Sequence, residues 1–552
     1  MSLNDDPDWW RGAVIYQVYL RSFQDSDGNG IGDLEGLRRR LPHIAGLGAD
    51  AVWITPFFRS PMKDFGYDVS GYGDVDPMFG TMADFDAVVA EAHRLGLRIV
   101  IDLVLSHTSD AHPWFVESRG AREGPRADWY VWAEAKPDGT APNNWLSIFG
   151  GPAWEWDTTR LQYYLHNFLA AQPDLNFHNP EVQDAMLAVA EAWLKRGVDG
   201  FRLDTVNFYF HDAALTDNPP LPPEQRNANT APMENPYNFQ DHLHDKTQPE
   251  NLVFLRRLRA LCDRYGGRAL LGEVGESQRG REVMAAYTAG GDKLHMCYDF
   301  DFLAPDPPTP ARAREVIEGV EAVSETSWPC WAFSNHDTVR HVTRWGAEAP
   351  GRAAVLAALL LSLRGSVCLY QGEELALPEA RIAFEDIRDP YGLRLWPKFR
   401  GRDGARTPMP WETDAPNAGF SEAAPWLPAP EAHRPLAVDR QEGDPASPLH
   451  AYRRLLAFRR AHPALIRGTL EMAEAGPDLL AFARRDPATG DAVFCAFNLT
   501  DAPHAGPAPW EAETLEIPGP APLFGGRMID GSLRLGPWDA WFGMSPATGD
   551  PA

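Results

Sequence analysis

The stretch EVQDAMLAVAEAWLKRGVDGFRLD, residues 181–204, decides the fold because a helix pattern leads directly into a strand pattern. Its first part places apolar residues at helical spacing, and its last five residues form a short, largely apolar run that ends on an acidic residue. Amphipathic helices between short buried strands are typical of a parallel sheet covered by helices. The stretch therefore predicts an α/β protein.

The same alternation recurs along most of the chain. Short apolar runs are separated by amphipathic stretches such as MADFDAVVAEAHRLG, residues 82–96. Eight such runs in series predict a closed (β/α)8 TIM barrel. The predicted strands are residues 13–20, 51–55, 97–105, 200–204, 269–274, 295–300, 330–335 and 366–371.

Three long segments interrupt the repeat, each after the carboxyl end of a strand, where barrel enzymes keep their active sites. Residues 106–177 are rich in Trp, Pro and Gly and predict an inserted small domain, whereas residues 208–250 and 373–449 predict functional loops. Beyond residue 468, short strand-like runs between Gly and Pro turns indicate an antiparallel β domain. The predicted domains are the catalytic barrel, residues 1–105 and 178–468, the inserted subdomain, residues 106–177, and the C-terminal β domain, residues 469–552.

The formal net charge of -26 argues against nucleic acid or an anionic membrane as a partner. Nucleic acid and anionic membranes would both be repelled by such a chain. A small neutral substrate needs no electrostatic steering, so it is compatible with a strongly negative protein. We therefore expect a small-molecule substrate and neither nucleic acid nor membrane as a partner.

The cysteines and the N-terminus predict a cytoplasmic protein. The five cysteines are scattered without a CxxC pair, which favours a reducing compartment over a disulfide framework. The start MSLNDDPDWW has neither the positive nor the apolar region of a signal peptide, and no run reaches the ~20 apolar residues of a membrane span. Either a monomer or a homodimer is compatible with the sequence.

Three carboxylates fall at the ends of predicted strands. Asp204 ends FRLD, Glu273 ends LLGE, and Asp337 follows FSNH. Because the carboxyl ends of barrel strands meet at one mouth, these groups should converge and perturb one another's pKa values. One ionised and one protonated carboxyl are what cleavage of a glycosidic bond requires. Singly, each residue could equally be a cap or an ion-pair partner.

Together these segments resemble a known family. GFRLDTVN, LLGEV and FSNHD, with DLVLSHTS (residues 102–109), resemble the four conserved segments of the α-amylase family of glycoside hydrolases, family 13. QPDLNF (residues 172–177) is similar to the fifth segment in its oligo-1,6-glucosidase and α-glucosidase branch. The resemblance covers about residues 9–468 and includes WWRGAVIYQVYLRSF, DFGYDVSGY, YQGEE and GRDGARTPMPW.

The resemblance implies a retaining, exo-acting α-glucosidase that acts by double displacement on short α-glucosides, with transglycosylation as a side activity. Asp204 matches the nucleophile, Glu273 the acid/base, and Asp337 the carboxylate that holds the sugar's 2- and 3-hydroxyls. Arg202 lies two residues before Asp204, on the same strand face, and is expected to hydrogen-bond it.

Further matches assign the sugar pocket. His107 and His336 match histidines that donate to the glucose hydroxyls, and Tyr67 matches the aromatic that stacks on the ring. Asp64 and Arg402 match a pair that closes the pocket behind the terminal glucose, which favours exo over endo cleavage. The substrate-binding set implied by the resemblance is Asp64, Tyr67, His107, Phe168, Arg202, Thr205, His336 and Arg402.

Thr205 follows the predicted nucleophile and bears on linkage preference. The branch commonly has Val here in enzymes that prefer α-1,6 links and a smaller or more polar residue in those that prefer α-1,4 links. Because Thr is nearly isosteric with Val, its hydroxyl should make the difference. We expect short α-1,4-glucosides or sucrose to be cleaved better than isomaltose.

A cation site is expected near the N-terminus, and no organic cofactor is expected. The run DSDGNGIGD offers oxygen donors at alternate positions and glycines for a tight turn, which suits a structural Ca²⁺ or Mg²⁺. It is not an EF-hand, because the twelfth position is Gly36. Ser106 stands where most of the family has a calcium-binding Asn, so the α-amylase calcium is not expected. The candidate ligands are Asp25, Asp27, Asn29, the carbonyl of Ile31, and Asp33.

Two alternatives remain at this point. A dedicated transglycosylase of the same family, such as a sucrose isomerase, amylosucrase or trehalose synthase, would share the nucleophile and acid/base. A non-catalytic glucosidase-like scaffold would be expected to carry a membrane span and to lack catalytic carboxylates. Product analysis distinguishes the first alternative, and the three retained carboxylates disfavour the second.

Overall fold

Eight parallel strands form the central sheet of the computed structural model, which describes residues 6–298, 300–323 and 326–545. Every one of them lies within a predicted strand or coincides with most of it. Their residues are buried throughout, as expected for strands covered by helices. The strands are β1 (Val14–Val18), β2 (Ala51–Ile54), β3 (Arg98–Leu103), β4 (Gly200–Leu203), β5 (Ala269–Glu273), β6 (Met296–Tyr298), β7 (Cys330–Ala332) and β8 (Ser366–Tyr370).

The strands pair in the order that a barrel requires. Each strand from β1 to β5 pairs in parallel with the next, and β8 pairs with both β7 and β1. Among the described residues, the remaining gap between β6 and β7 is bridged by Cys297 and Pro329. The sheet is thus a nearly closed barrel, and the predicted fold class is confirmed.

One main helix follows each strand and covers the outside of the barrel. Local signals fix where several begin: Asp33 accepts from the backbone of Gly36, and Thr81 and Asp84 form a capping box. The helices are α1 (Leu34–Leu47), α2 (Met82–Arg94), α3 (Pro180–Lys195), α4 (Asn251–Asp263), α5 (Gly280–Thr288), α6 (Pro310–Val323), α7 (Pro350–Ser362) and α8 (Pro448–Ala461).

The segments predicted as separate domains have their own sheets. Residues 106–177 contain the helix Pro113–Gly120 and a three-stranded antiparallel sheet of Trp132–Ala133, Trp154–Asp157 and Gln162–Leu165. The C-terminal part forms a five-stranded and a three-stranded sheet, all antiparallel, which confirms the β character of that part. The domain limits assigned from the sequence stay predictions. The C-terminal strands are Thr469–Met472, Leu480–Arg485, Ala492–Asn498, His504–Pro507, Glu513–Thr514, Arg527–Ile529, Ser532–Leu535 and Asp539–Met544.

The loops after β4 and β8 contain only short elements and meet over the mouth of the barrel. Asn235, from the first loop, donates to the carbonyl of Ile148 in the insert at 2.6 Å and to the Tyr391 hydroxyl in the second loop at 2.9 Å. One amide thus ties together the three segments that surround the site. Other short strands are Phe58–Arg59 and Gly71–Val75, and the short α-helices are His341–Arg344, Pro390–Leu395, Val438–Glu442 and Pro463–Arg467.

The five cysteines are all buried and none forms a disulfide. Cys330 and Cys368 have their sulfurs 3.6 Å apart, too far for a bond. Among the helices of the described residues, none has the length and apolarity to cross a membrane.

Candidate active site

A cavity of about 370 Å³ opens at the carboxyl ends of the barrel strands. Its size lies at the lower end of the range for small-molecule sites. Asp204, Glu273 and Asp337 all line it, so the three strand-end carboxylates converge. Of the other predicted substrate-binding residues, those that line it are Asp64, Tyr67, His107, Phe168, Thr205 and Arg402.

Arg202 on β4 is the centre of the carboxylate cluster. Its Nη1 donates to Asp204 at 2.7 Å, as expected from their spacing, and to Asp102 at 2.8 Å. Its Nη2 lies 2.6 Å from Oε2 of Glu273. Asp204 and Glu273 therefore bond the two terminal nitrogens of one buried guanidinium, which fixes their separation and orientation.

One cation thus faces three buried carboxyls. Burial raises the pKa of Asp204 to about 7 although Arg202 opposes the shift, and it raises the pKa of Glu273 to about 7 for the same reason. Burial likewise raises the pKa of Asp102 to about 6. Since a single positive charge does not balance three negative ones, the cluster retains a proton close to neutral pH. The site therefore holds both an acid and an anion.

Asp337 has the opposite electrostatic environment. Its Oδ1 accepts from Arg402 at 3.1 Å and from Arg406 at 2.7 Å, and its Oδ2 lies 3.2 Å from Nε2 of His336. Burial would raise its pKa, but His336 and the two guanidinium groups outweigh burial and hold the pKa well below its ordinary value. Asp337 is therefore the carboxylate that stays ionised.

Arg402 connects Asp337 to a second group of buried carboxylates that line or adjoin the cavity. It donates to Asp64 at 2.8 Å, as the resemblance implies, and also to Asp389 at 2.8 Å. Gln172 donates to the other oxygen of Asp64 at 3.1 Å. We call Asp64, Asp337 and Arg402 the charged wall. It presents fixed donors and acceptors suited to sugar hydroxyls.

The predicted aromatic and histidine residues lie beside this wall. Tyr67 stacks on His336 with ring centroids 5.3 Å apart, and its hydroxyl bonds Nε2 of His336 at 2.7 Å. Burial lowers the pKa of His107 to about 4, so this histidine is neutral at physiological pH. The ring of Phe168 lies 5.1 Å from that of His107. The roles of these residues toward a sugar stay predictions.

Thr205 has an unusual backbone. Its φ is +42°, which is strained for a β-branched residue. The turn brings its hydroxyl to 3.3 Å from Oδ2 of Asp204, and its N–H donates to Glu273 at 3.2 Å. Thr205 thus faces the cavity, although strand alternation alone would direct it away from Asp204.

Apolar side chains line another part of the cavity, beside the polar Asn229, Thr230 and Thr338. Pro305 and Val339 are exposed, whereas Asp64 and Arg402 are buried, so this lining lies outside the charged wall. We call it the apolar wall. It consists of Ala228, Ala231, Pro232, Phe300, Leu303, Pro305 and Val339.

Several residues of the site were missed from the sequence. Asp102 lies inside β3, and only the strand register, which places it opposite Arg202, reveals its partner. Its position in DLVLSHTS, five residues before His107, was the available signal.

Asp389 and Arg406 come from the long loop after β8, whose path no periodicity predicts. Tyr298, which donates to Glu273 at 3.3 Å, sits at the end of β6 and could have been found by the strand-end argument.

The predicted cation loop lies away from the cavity, between β1 and α1. Asp25, Asp27 and Asp33 each bring a carboxylate oxygen within 4.8 Å of the others. That spread fits oxygen ligands 2.3–2.6 Å from one Ca²⁺ ion. Asn29 lies beside them and donates to Asp27 at 3.2 Å, while Ile31 donates its N–H to Asn29 at 2.8 Å. The three acidic residues therefore fit a hard cation.

Comparisons with known proteins agree with this geometry. The family model described as the alpha amylase catalytic domain matches residues 17–468. A probable alpha-glucosidase of Rhizobium meliloti is 62% identical over 98% of both chains, and an oligo-1,6-glucosidase of Parageobacillus thermoglucosidasius is 34% identical over 84% of this chain and 86% of its own.

Two solved structures are similar over the whole chain. An alpha-glucosyl transfer enzyme, XgtA, has a TM-score of 0.94 and 52% identity and covers 98% of this chain and 99% of its own. The trehalulose synthase MutB from Pseudomonas mesoacidophila MX-45 has a TM-score of 0.86 and 33% identity, with 97% and 99% covered. With its barrel, converging carboxylates and matching segments, the chain belongs to the α-amylase family of glycoside hydrolases.

Proposed function

We propose that this protein is a retaining, exo-acting α-glucosidase that removes terminal glucose from short α-glucosides. The observation that carries the proposal is the pairing of Asp204 and Glu273 on the two ends of the Arg202 guanidinium. Two carboxyls held by one side chain are close together, as a nucleophile and an acid/base on a retaining enzyme must be. The probable alpha-glucosidase relative supports the same activity.

In the first step, Asp204 attacks the anomeric carbon while Glu273 gives its proton to the leaving oxygen. The glycosidic C–O bond breaks as the bond to Asp204 forms, which leaves a covalent glucosyl-enzyme. The proton retained by the carboxyl cluster supplies the acid at neutral pH. Arg202 stabilises the remaining negative charge.

In the second step, Glu273 acts as the base. It removes a proton from water, the hydroxide oxygen attacks the anomeric carbon, and the bond to Asp204 breaks. The two inversions yield an α-anomer. Asp337, which stays ionised, is suited to accept hydrogen bonds from the 2- and 3-hydroxyls throughout the reaction.

Exo action follows from the charged wall. Asp64 and Arg402 are buried and bonded to each other, so their contact supports a pocket that ends behind one glucose unit. A polymer would have to pass through this ion pair. We therefore expect maltose and sucrose to be substrates and starch to be a very poor one.

Linkage preference depends on Thr205, whose hydroxyl faces the reacting carboxyls. We propose that α-1,4-glucosides are preferred to isomaltose, by about 10- to 200-fold, the range typical of one such contact. The test is kcat/KM for maltose, isomaltose, sucrose, trehalose, starch and an aryl α-glucoside, for the wild type and Thr205→Val. An isomaltose preference that Thr205→Val leaves unchanged would contradict this assignment.

A second candidate is a dedicated α-glucosyl transferase. It is favoured by the two solved structures, one titled an alpha-glucosyl transfer enzyme and the other a trehalulose synthase. The covalent intermediate would be the same, and a sugar hydroxyl would replace water. Product analysis at high maltose or sucrose decides between them, because a committed transferase would release little free glucose.

We also propose a structural Ca²⁺, or Mg²⁺, held by Asp25, Asp27 and Asp33 with Asn29 and the Ile31 carbonyl. The ion would neutralise three clustered carboxylates and tie the loop to the start of α1. EDTA should then lower the melting temperature but leave the low-temperature activity, and Asp27→Ala should abolish the EDTA effect. An unchanged melting temperature in EDTA would contradict the proposal.

A cytoplasmic location is proposed because none of the five buried cysteines forms a disulfide, which fits a reducing compartment. We propose that the protein acts as a monomer or a homodimer. It needs no other macromolecular partner for this chemistry. Cell fractionation with an activity assay tests the location, and light scattering tests the oligomeric state.

A further inference from the structure

A chain of hydrogen bonds leads from His107 to the proposed nucleophile. Nδ1 of His107 lies 2.9 Å from the Ser106 hydroxyl, which lies 3.1 Å from the Thr205 hydroxyl. The Thr205 hydroxyl in turn lies 3.3 Å from Oδ2 of Asp204, the oxygen that Arg202 does not bind. The strained backbone of Thr205 is what places its hydroxyl in this chain.

The number of hydrogens in the chain limits its arrangements. A serine or threonine hydroxyl has one hydrogen to donate, and a neutral histidine has one N–H. Three consecutive contacts can all be hydrogen bonds only if every donor points the same way. Because an ionised Asp204 only accepts, all three bonds form when the chain runs toward Asp204, and the bond to Asp204 is absent when the chain runs away from it.

His107 decides the direction, because two groups compete for its Nε2. The amide nitrogen of Gln172 lies 3.2 Å away and can only donate; its orientation is fixed by Oε1, which accepts from Leu169 at 3.0 Å. The carbonyl of Tyr67 lies 3.1 Å away and can only accept. Nε2 can satisfy only one of them at a time.

Each choice sets the rest of the chain. If Nε2 accepts from Gln172, the proton is on Nδ1, and His107 donates to Ser106, Ser106 to Thr205, and Thr205 to Asp204. If Nε2 carries the proton, Ser106 donates back to Nδ1, and its oxygen is then free to accept from Thr205 at 3.1 Å, a shorter contact than the 3.3 Å to Asp204. Oδ2 of Asp204 then loses the hydrogen bond from Thr205.

We propose that Ser106 and Thr205 are positioning residues that hold Oδ2 of Asp204 in the free enzyme and release it when a glucose hydroxyl accepts a hydrogen bond from Nε2 of His107. The switch moves one proton off Nδ1 and one onto Nε2, through water in the open cavity, so the charge of the site is unchanged. The proposal rests on the proposed function, in which Asp204 is the nucleophile. It also gives Ser106, which departs from the Asn of most of the family, a role of its own.

The experiment is a double-mutant cycle on the glucosylation step, measured by stopped flow with 4-nitrophenyl α-glucoside. In Ser106→Ala, Thr205 has lost the acceptor to which it would turn, so its hydroxyl stays on Asp204. We expect the glucosylation rate to fall about 10-fold, the effect of one hydrogen bond to a charged group, with little change in KM.

Thr205→Val removes the hydroxyl that would hold Asp204 but keeps the shape of the side chain. We therefore expect the Ser106→Ala change to have almost no further effect in the Thr205→Val background. Thr205→Ser, which keeps the hydroxyl, should keep the full effect of Ser106→Ala. Thr108→Val is the matched control, because this buried hydroxyl bonds Tyr130 outside the chain.

An equal 10-fold loss from Ser106→Ala in both backgrounds would overturn the chain, as would a loss that appears only in KM or in the melting temperature. A separate measurement isolates the proposed function. Trapping with 5-fluoro-α-glucosyl fluoride and mass spectrometry of the peptide that contains Asp204 report whether that residue is the nucleophile. If Asp204 carries the label but the effects of Ser106→Ala and Thr205→Val are independent, the hydrogen-bond chain is rejected and the proposed function stands.

Discussion

The two walls of the cavity differ in chemistry: one consists of ion-paired side chains and the other of apolar side chains. In the charged wall, Arg402 is paired with both Asp64 and Asp337, and Asp389 and Arg406 add further ion pairs to Arg402 and Asp337. In the apolar wall, residues such as Leu303 and Val339 offer shape without directional bonds. The difference indicates that one wall selects a particular sugar by hydrogen bonding, whereas the other places few polar demands on what is attached to it.

The charged wall is stiff for an electrostatic reason. Buried charges are stable only when paired, so moving any one of them leaves another unpaired at a cost of several kcal/mol. Glucose hydroxyls therefore meet donors and acceptors that are already in place, as efficient catalysis requires. The apolar wall has no such constraint, and its members at the mouth are partly exposed.

The largest effect should come from the reacting carboxylates beside the charged wall. Asp204→Asn removes the nucleophile with almost no change in volume, so turnover of an aryl α-glucoside should fall by about 10⁴-fold or more. Circular dichroism and the melting temperature should show an intact fold. Substantial residual activity in a fully folded variant would mean that another group attacks the sugar.

Glu273→Gln should separate the two steps by substrate. An aryl glucoside with a good leaving group needs little acid assistance, so its first step should be slowed far less than that of maltose. Added azide should then restore turnover and give a glucosyl azide, because azide needs no base. If azide gives neither rescue nor product, Glu273 is not the acid/base.

The charged wall itself is tested by Arg402→Lys, which keeps the charge but loses the planar set of donors to Asp64 and Asp389. We expect kcat/KM for maltose to fall by about 100-fold, since the terminal glucose loses its fixed position. Val339→Ser in the apolar wall is the control and should change this value little. Equal losses in the two variants would remove the distinction between the walls.

A smaller effect concerns stability and pH. Burial raises the pKa of Glu273 to about 7, so the folded protein holds a proton that the unfolded chain releases near pH 4.5. The folded state therefore loses stability as the pH rises through this window, and the loss is complete above pH 7.

Glu273→Gln removes this penalty and should raise the melting temperature by a few degrees at pH 8 but much less at pH 5. Glu385→Gln, a change of the same kind at an exposed position, serves as the control. A melting-temperature difference that does not depend on pH would show that Glu273 is not protonated by burial.

The contrast between the walls also explains what could be predicted from the sequence. The barrel could be predicted because each strand is short, apolar and separated from the next by a helix pattern, and the strand-end carboxylates followed from that map. Asp64 and Arg402 are 338 positions apart, and they were paired only through the family resemblance. Residue types alone carry no such information.

The remaining features depend on tertiary structure. Asp102 needs the register of β3 against β4, and Arg406 needs the path of a long loop. The orientation of Thr205 needs a positive φ that propensity does not predict for a β-branched residue. The apolar wall combines residues from several loops that share no motif. These features are set by how distant segments pack, which a local pattern does not encode.

The most direct test of the account is the proton NMR spectrum of a maltotriose digest, followed from the first minutes. We expect glucose and maltose as the first products, with the glucose released as the α-anomer before mutarotation. Exo cleavage, hydrolysis and retention are thus read from one spectrum. First-formed β-glucose would contradict the paired roles of Asp204 and Glu273, and products longer than maltotriose with little free glucose would establish the transferase instead.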